Sequence, residues 1–192
     1  VTLENCTVTG KDYALRIFES NNSSEPVAGS SASLTVQGGA YTGDVRISRK
    51  DADTNGENNA NGSTITVTGG SFDSSVAQYA DSSLQYEAVT ADGKQFTYHK
   101  TVEEAIAAAG SNGKITLIAG ESAEKADTVT LDYGYDNIKY TVKVPAGEKL
   151  SLPTANRTGY TFQGWYLNNS KITEYAAAQE GGQTVIDRKS VV

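Results

Sequence analysis

The sequence predicts a mainly β protein: a short right-handed parallel β-helix or solenoid, then a small β module, with one clear helix at the joint. Three observations predict this class. Nineteen glycines, against three prolines, accompany abundant Ser, Thr and Asn, a composition that favours many short strands. A strand motif recurs in the first half every 31 to 33 residues. In the last third, apolar residues alternate with polar ones, the period of a half-buried strand.

Charge and composition limit the classes of partner. The formal net charge is −7, and residues 1–90 hold 5 basic and 11 acidic residues, so the acidic character belongs to the first half. Nucleic acid is not expected as a partner, because neutralising phosphates needs clustered Lys and Arg. The sequence also lacks any run of about 18 apolar residues, so we expect no membrane insertion in this segment.

Cysteine, histidine and methionine are scarce. Cys6 is the single cysteine and His99 the single histidine, which excludes an internal disulfide and a His/Cys zinc site. Cys6 is expected to be a small, buried residue at a bend. Methionine is absent, which indicates a piece of a longer protein.

Three aligned segments define the repeat of the first half. They are Val1–Val8, Leu34–Tyr41 and Ile65–Phe72. The alignment makes three apolar residues equivalent, namely Leu3, Val36 and Val67. Stacking gives every inward residue a neighbour above and below, so residues 1–90 are predicted to form about three solenoid coils. The pattern resembles the pectin-lyase-like β-helices of bacterial surface proteins. The alternative is a set of ordinary hairpins in a sandwich.

A second strand recurs inside the first two units. Leu15–Ile17 matches Val45–Ile47, so Arg16 and Arg46 are expected at the same place in successive coils. We interpret them as a solvated ladder with local ion pairs. The alternative is a basic stripe that would bind an acidic sugar.

The insertion between the second and third coils contains a weak calcium candidate. Asp51, Asp53 and Asn55, followed by Gly56, resemble the start of an EF-hand-type loop, because alternating oxygen ligands before a glycine turn suit a hard cation. The carboxylate that should close the loop falls at Gly62, which has no side-chain ligand. A disordered acidic surface loop is therefore the preferred interpretation, and no cofactor is predicted.

Residues 91–125 are predicted to be the joint between two differently built parts. Thr101 is expected to cap a helix that ends at Gly110, and Glu104 completes a capping box. A strand over Lys114–Gly120 follows. This helix–strand unit looks like the elements that cover the open end of a β-helix.

Residues 126–192 are predicted to be the third domain. Apolar residues alternate over Val129–Tyr133 and again over Tyr140–Val144, which indicates a hairpin joined through Gly134–Asn137. A short edge strand is expected over Leu150–Pro153.

The segments VTLDY, YTVKVPAGEKLSLP and RTGYTFQGWY follow one another within residues 127–166. In this order they resemble the internalin B-repeat, also called the Listeria–Bacteroides repeat. The resemblance implies a small β-grasp-like module outside a bacterial cell, used as a spacer or adhesion-associated unit. The family pattern usually closes with an aromatic residue and a Trp. That Trp is absent here, and residues 173–179 indicate one or two helical turns.

Aromatic residues of this module are the candidates for ligand contact. Tyr160, Phe162 and Trp165 could bind a sugar ring, but we interpret them as core, because a domain of about 60 residues has few other large apolar side chains to bury. Tyr133 and Tyr135, near the hairpin tip, are the candidates for exposed ligand-binding residues.

The sequence therefore predicts a non-catalytic fragment of an extracellular bacterial surface protein, an adhesin or a stalk, attached through segments outside this chain. Its partner would be a host or cell-surface protein or a glycan. One alternative is a carbohydrate-binding module. The other is a β-helix polysaccharide lyase or hydrolase. This chemistry needs paired carboxylates, such as Asp12 and Asp44 on successive coils, or a calcium ion with an arginine or lysine base.

Overall fold

The structure is a computed structural model of the 192-residue chain. It describes residues 1–19, 31–49, 62–118, 126–178 and 181–191. As predicted, these residues are mainly β, and they form two compact units, Val1–Asp81 and Ser82–Val192. None of the helices in these ranges is long and apolar enough to cross a membrane.

The first unit is a β-solenoid, which confirms the predicted stack, and it has about 4 turns where about three coils were expected. Its strands are β1 (Thr2–Leu3), β2 (Cys6–Glu19), β3 (Ser33–Arg49) and β4 (Thr64–Phe72), followed by a short 3-10 helix at Ala77–Tyr79. β1 and β2 both pair in parallel with β3, and β3 pairs in parallel with β4. A parallel stack of this kind is what repeated inward-facing apolar residues require.

The stacking register follows the repeat found in the sequence. Leu3 pairs with Val36, Val36 pairs with Val67, and Ala80 forms a parallel bridge with Val67. Val36 and Val67 are completely buried, because each has an apolar neighbour on both sides along the stack. The equivalence predicted for Leu3, Val36 and Val67 is confirmed.

The bend after the first repeated strand requires glycine at one position. Gly39 has a φ of 99°, a conformation that residues with a Cβ rarely adopt. A Cβ added there would lie 2.0 Å from the main-chain oxygen of Cys6 in the neighbouring coil. The coils therefore approach so closely at this bend that a side chain does not fit.

The second unit contains ten strands and one α-helix within the described ranges. They are β5 (Tyr86–Val89), β6 (Phe96–His99), α1 (Val102–Ala109), β7 (Lys114–Leu117), β8 (Ala126–Asp132), β9 (Lys139–Pro145), β10 (Lys149–Ser151), β11 (Thr161–Leu167), β12 (Ser170–Ile172), β13 (Glu174–Ala176) and β14 (Gln183–Val191). One sheet runs through them in the order β6-β5-β7-β9-β8-β14-β11-β12, and β10 pairs with β13 apart from it.

Two of the pairings in this sheet are parallel, β7 with β9 and β8 with β14, and the rest are antiparallel. The hairpin of β8 and β9 is the one that the sequence predicts. β14 lies between β8 and β11, so the segment that lacks the closing Trp of the family pattern still forms a strand of this sheet. The β-grasp topology itself stays a prediction.

Helix α1 begins and ends where the sequence predicts. The Thr101 hydroxyl accepts a hydrogen bond from the Glu104 amide, and the Glu104 carboxylate accepts one from the Thr101 amide, so the capping box is formed. Val102, Ala105 and Ala109 are buried on one face. They share one core with residues of β5, β7, β8, β9 and β11, so this helix belongs to the core of the second unit.

The prediction of helical turns over residues 173–179 is wrong. Residues 174–176 form β13, which pairs antiparallel with β10 and places Tyr175 opposite Leu150. Leu150 is completely buried and Tyr175 packs against the same core. Tertiary pairing thus overrides the helix propensity of the three consecutive alanines in this segment.

Candidate functional site

The site is built on an aromatic cluster in the core of the second unit. Trp165, on β11, is 2% exposed, and its indole Nε1 donates a hydrogen bond to the main-chain oxygen of Pro153 over 2.6 Å. The ring of Tyr133 meets Trp165 edge-to-face at 5.2 Å and Tyr140 at 5.3 Å between centroids. Burial raises the pKa of the Tyr133 hydroxyl well above its ordinary value, so this group stays neutral at physiological pH.

The turn after Tyr133 is held by the residues that flank it. Gly134, Asp136 and Asn137 all have positive φ angles. The Asp132 carboxylate accepts a hydrogen bond from the Gly134 amide over 2.8 Å and forms an ion pair with Lys139 Nζ at 2.7 Å. The hydrogen bond from Lys139 lowers the pKa of Asp132, so the carboxylate is charged at neutral pH. The backbone at Gly134 is therefore pre-organised.

Arg157 lies over two aromatic rings beside this turn. Its Cζ is 4.5 Å from the centroid of Tyr135 and 4.2 Å from that of Tyr160. The Tyr135 hydroxyl donates a hydrogen bond to the Asn156 main-chain oxygen over 3.3 Å, which ties the ring to the segment before β11. A guanidinium that uses its faces on aromatic rings keeps its N–H donors free at the edge.

Two further cations come from consecutive positions of β14. Arg188 also lies over Tyr135, with Cζ 4.8 Å from the centroid, and its Nη1 donates to the Tyr133 main-chain oxygen over 3.1 Å. Its Nε and Nη2 are buried and have no hydrogen-bond acceptor within the described part of the chain. Lys189 Nζ lies 4.2 Å from the centroid of Tyr166.

A β-bulge brings one more polar side chain to this place. β11 and β14 pair Phe162 with Ser190 and Gly164 with Lys189, so Gln163 is the extra residue of the bulge. Gly164 has a φ of 139°, which a residue with a Cβ adopts only with strain. Bulges bend a strand and re-aim its side chains, and they are frequent beside functional sites.

Together these residues form an open cleft of about 430 Å³, which we call the cationic cleft. Its lining consists of Tyr133, Gly134, Arg157, Gln163, Tyr166, Arg188, Lys189, Ser190 and Val191. No carboxylate, imidazole or thiol is among them. Across the described ranges, no Asp or Glu lies within ion-pair distance of Arg157, Arg188 or Lys189. The cleft therefore offers positive charge and hydrogen-bond donors.

The structure places the two tyrosines proposed from the sequence at this cleft, in roles that differ from the expected one. Tyr133 is 7% exposed and lies beneath the surface, so the expectation that it is exposed is wrong. Tyr135 is half-buried between cations. Sequence reasoning missed Arg157, Arg188 and Lys189, because only the pairing of β14 with β8 and β11 brings them beside the hairpin.

Of the three aromatics interpreted as core, two pack there. Trp165 is buried, and Phe162 is half-buried against it at 6.0 Å between centroids. Tyr160 is 38% exposed and contacts Arg157, so its assignment to the core is wrong. Of these three residues, Trp165 and Phe162 therefore belong to the core, and Tyr160 contacts the guanidinium of Arg157.

In the solenoid, Arg16 and Arg46 stack on successive coils as predicted, and the ring of Tyr13 lies beside them. Arg16 pairs with Arg46, and both guanidiniums lie over Tyr13, with Cζ at 4.8 and 4.6 Å from the centroid. Arg46 forms an ion pair with Asp44 at 3.4 Å, which confirms the expected local pairing. Asp44 lies opposite Tyr13 in the register.

Cys6 pairs with Gly39 in the register, as the alignment predicts, but it is half-buried where full burial was expected. Its Sγ lies 3.2 Å from the Tyr41 hydroxyl. Burial, with the thiol as a neighbour, raises the pKa of Tyr41. The Tyr41 hydroxyl therefore stays neutral, and the two side chains pack against each other at the bend.

The calcium candidates Asp51, Asp53 and Asn55 lie outside the described residues. Within the described ranges, no group of three or more His, Cys, Asp or Glu side chains is arranged to hold a metal ion. The preferred interpretation of this insertion as an acidic surface loop, and the alternative of calcium binding at residues 51–55, both stay untested.

Comparison with known families supports the resemblance in the second unit. The model of the Listeria-Bacteroides repeat domain (List_Bact_rpt) matches residues 127–186, from β8 into β14. Neither the curated proteins nor the solved structures gave a significant match to the chain. The match includes Arg157 and Gln163 and ends before Arg188. The second unit thus contains a segment similar to the Listeria-Bacteroides repeat, which is compatible with a module of a surface protein.

Proposed function

We propose that this chain is a non-catalytic part of an extracellular bacterial surface protein, acting as an adhesin or as the stalk that displays one. Two features support this. The first unit is a stacked solenoid, and the second contains a segment similar to a repeat that is compatible with surface proteins. In the proposal, segments outside this chain attach it to the cell wall or cell surface, and its partner is a host or cell-surface protein or a glycan.

The observation that carries a binding role is the composition of the cationic cleft. Proton transfer or nucleophilic attack is most often carried by a carboxylate, an imidazole, a thiol or an activated hydroxyl, and in some sites by a lysine amine. The described lining offers arginine, lysine, glutamine, serine and a neutral tyrosine. His99 lies on β6, with Nε2 2.8 Å from the Thr97 hydroxyl. These groups suit recognition of a ligand better than its chemical conversion.

Carbohydrate binding is the second candidate function, and the cleft favours it. Arginine, glutamine and tyrosine side chains at an open surface provide the hydrogen bonds that sugar hydroxyls accept and donate. A glycan array separates the two roles, since a plain stalk binds no glycan specifically. Tyr135→Ala is the informative variant, because it removes the ring that orients Arg157 and Arg188.

The surface location is tested on intact cells that produce the full-length protein. Antibodies raised against the present chain should label these cells without permeabilisation, and external protease should remove the label. Beads coated with the purified chain should also be retained on host or bacterial cells if it is an adhesin, and should not be retained if it is a stalk. Labelling that appears only after lysis would contradict the surface proposal.

The enzymatic alternative is tested by incubating the chain with pectin, polygalacturonate and xylan. We expect these polymers to be recovered intact. Cleavage that is lost in Asp44→Ala would overturn the non-catalytic role, because Asp44 and Asp12 are the carboxylates that the sequence predicts to lie on successive coils. Its ion pair with Arg46 supports a structural role for it.

A further inference from the structure

We propose that the cationic cleft binds the carboxylate of an acidic saccharide, a uronic acid unit of a polymer. This deepens the proposed function and rests on it, since it names the ligand class of the same surface. The cleft combines a fixed set of cations with polar side chains that suit neighbouring hydroxyls.

The charge of the cleft is opposite to that of the chain. The formal net charge of the protein is −7, yet Arg157, Arg188 and Lys189 line one opening. No described Asp or Glu lies within ion-pair distance of any of the three. The guanidinium of Arg188 is partly enclosed, and its buried Nε and Nη2 have no hydrogen-bond partner among the described residues, so its charge is weakly screened by solvent. An anion entering the cleft meets a local positive charge, opposite in sign to the net charge of the chain.

The donors are held in place before any ligand arrives. The ring centroids of Tyr135 and Tyr160 lie 4.5 and 4.2 Å from Cζ of Arg157. The rings contact the faces of the guanidinium, so the N–H groups along its edge can donate to a planar acceptor. A guanidinium edge matches a carboxylate through two parallel hydrogen bonds. Lys189 is positioned over Tyr166 in the same way. Little side-chain entropy is therefore lost when a carboxylate binds.

The surroundings of the cations fit a saccharide. The bulge at Gln163 and the hydroxyl of Ser190 place neutral polar groups beside them, and these can exchange hydrogen bonds with sugar hydroxyls. The cleft is open at the surface, so a unit in the middle of a polymer can enter it. Arg188 and Lys189 lie beyond the segment that matches the Listeria-Bacteroides repeat, so this combination belongs to the chain's own last strand.

Isothermal titration of the whole chain with trigalacturonate tests the proposal. The matched ligand is the neutral galactose trisaccharide of the same linkage, and inorganic phosphate is the small-anion control. We expect trigalacturonate to bind about tenfold more tightly than the neutral sugar, the effect of one charge-assisted contact. Equal binding of the neutral sugar would overturn the proposal and leave a carbohydrate-binding role intact. Binding of phosphate without binding of trigalacturonate would also overturn it.

Variants locate the contact. Arg157→Gln should weaken trigalacturonate binding about tenfold, whereas Lys143→Gln, which removes the same charge from the exposed side of β9, should leave it unchanged. If Arg157→Gln fails to fold, the salt dependence of trigalacturonate binding to the unaltered chain still tests the proposal. The affinity of that chain should fall about tenfold between 50 and 500 mM NaCl, because salt screens exposed charges. Three results would overturn the proposal: binding that does not depend on salt, an equal loss of affinity in both variants, or no binding of trigalacturonate at all. The surface location is tested separately, by labelling of intact cells.

Discussion

The indole Nε1 of Trp165 donates a hydrogen bond to the main-chain oxygen of Pro153 over 2.6 Å, and this contact lies inside the core of the second unit. It explains why the single tryptophan of the chain does not serve as an exposed sugar platform. The indole N–H already has an acceptor inside the protein, and the indole ring packs against the ring of Tyr133. The candidate binding surface therefore consists of side chains that stand on this core.

Replacing Trp165 with Phe should destabilise the second unit by about 2 kcal/mol. The variant loses the hydrogen bond to Pro153, leaves that oxygen buried without its donor, and creates a small cavity. Urea unfolding followed by far-UV circular dichroism measures the effect. Tyr160→Phe is the control, since Tyr160 is exposed and should change stability by less than about 0.5 kcal/mol. Equal effects in the two variants would show that Trp165 is not a central core residue.

Replacing Gly39 with Ala should disrupt the first bend of the solenoid and cost more than about 2 kcal/mol. The new Cβ would meet the Cys6 main-chain oxygen at 2.0 Å in a backbone with positive φ. Gly62→Ala is the matched control, because Gly62 also has a positive φ but nothing lies within 4 Å of its added Cβ, so about 1 kcal/mol is expected. Hydrogen exchange of the β2 and β3 amides reads out the difference. Unchanged protection in Gly39→Ala would contradict the close stacking.

Acid should destabilise the second unit through Asp127. This carboxylate is 1% exposed and accepts hydrogen bonds from the Tyr175 hydroxyl at 2.6 Å and the Ala178 amide at 2.8 Å. The hydrogen bond from Tyr175 holds its pKa below the ordinary value. The pKa of Asp127 is about 4 in the unfolded chain and lower in the folded protein. The ionised carboxylate therefore stabilises the fold fully above about pH 4, and this stabilisation is lost as the pH falls through the folded-state pKa.

The Asp127→Asn variant measures this contribution. It should be about 2 kcal/mol less stable at pH 7, and its stability should fall less steeply than that of the unaltered chain between pH 5 and pH 2. Urea midpoints across this range give both numbers. Asp136→Asn, in the exposed turn after Tyr135, is the control and should be about as stable as the unaltered chain at pH 7. An Asp127→Asn profile parallel to that of the unaltered chain would rule out Asp127 as the source of the acid sensitivity.

Replacing Tyr135 with Ala should lower stability by about 1 to 2 kcal/mol, because the contacts of its ring with Arg157 and Arg188 are both lost. Tyr135→Phe keeps both contacts and loses only the hydrogen bond to Asn156, so it should stay close to the unaltered chain. Thermal unfolding compares the three proteins. If Tyr135→Phe is as destabilised as Tyr135→Ala, the hydroxyl and not the ring holds the two cations.

Local and repetitive features could be predicted from the sequence. The register of Leu3, Val36 and Val67 follows from a repeat whose members must stack, and the ends of α1 follow from the Thr101–Glu104 capping box. Both depend on interactions between close neighbours or between copies of one pattern. For the same reason, the hairpin of β8 and β9 was visible in the alternation of apolar residues.

The cationic cleft could not be predicted in this way. Arg157 and Arg188 are far apart in the sequence and meet through the ring of Tyr135, after β14 has paired with β8 and β11. Alternation indicated that Tyr133 belongs to a strand, but the depth of its burial depends on Trp165 beneath it. Tertiary pairing of Tyr175 with Leu150 likewise decided that residues 174–176 are a strand.

Titration of the 15N-labelled chain with trigalacturonate, followed through the amide chemical shifts, tests the cationic cleft most directly. We expect the shifts to concentrate at Gly134, Gln163, Lys189 and Ser190, which line the cleft, and the indole N–H of Trp165 to change little because it is buried on Pro153. Shifts confined to the ladder of Arg16 and Arg46 in the solenoid, or none at saturating saccharide, would contradict a binding site in the second unit.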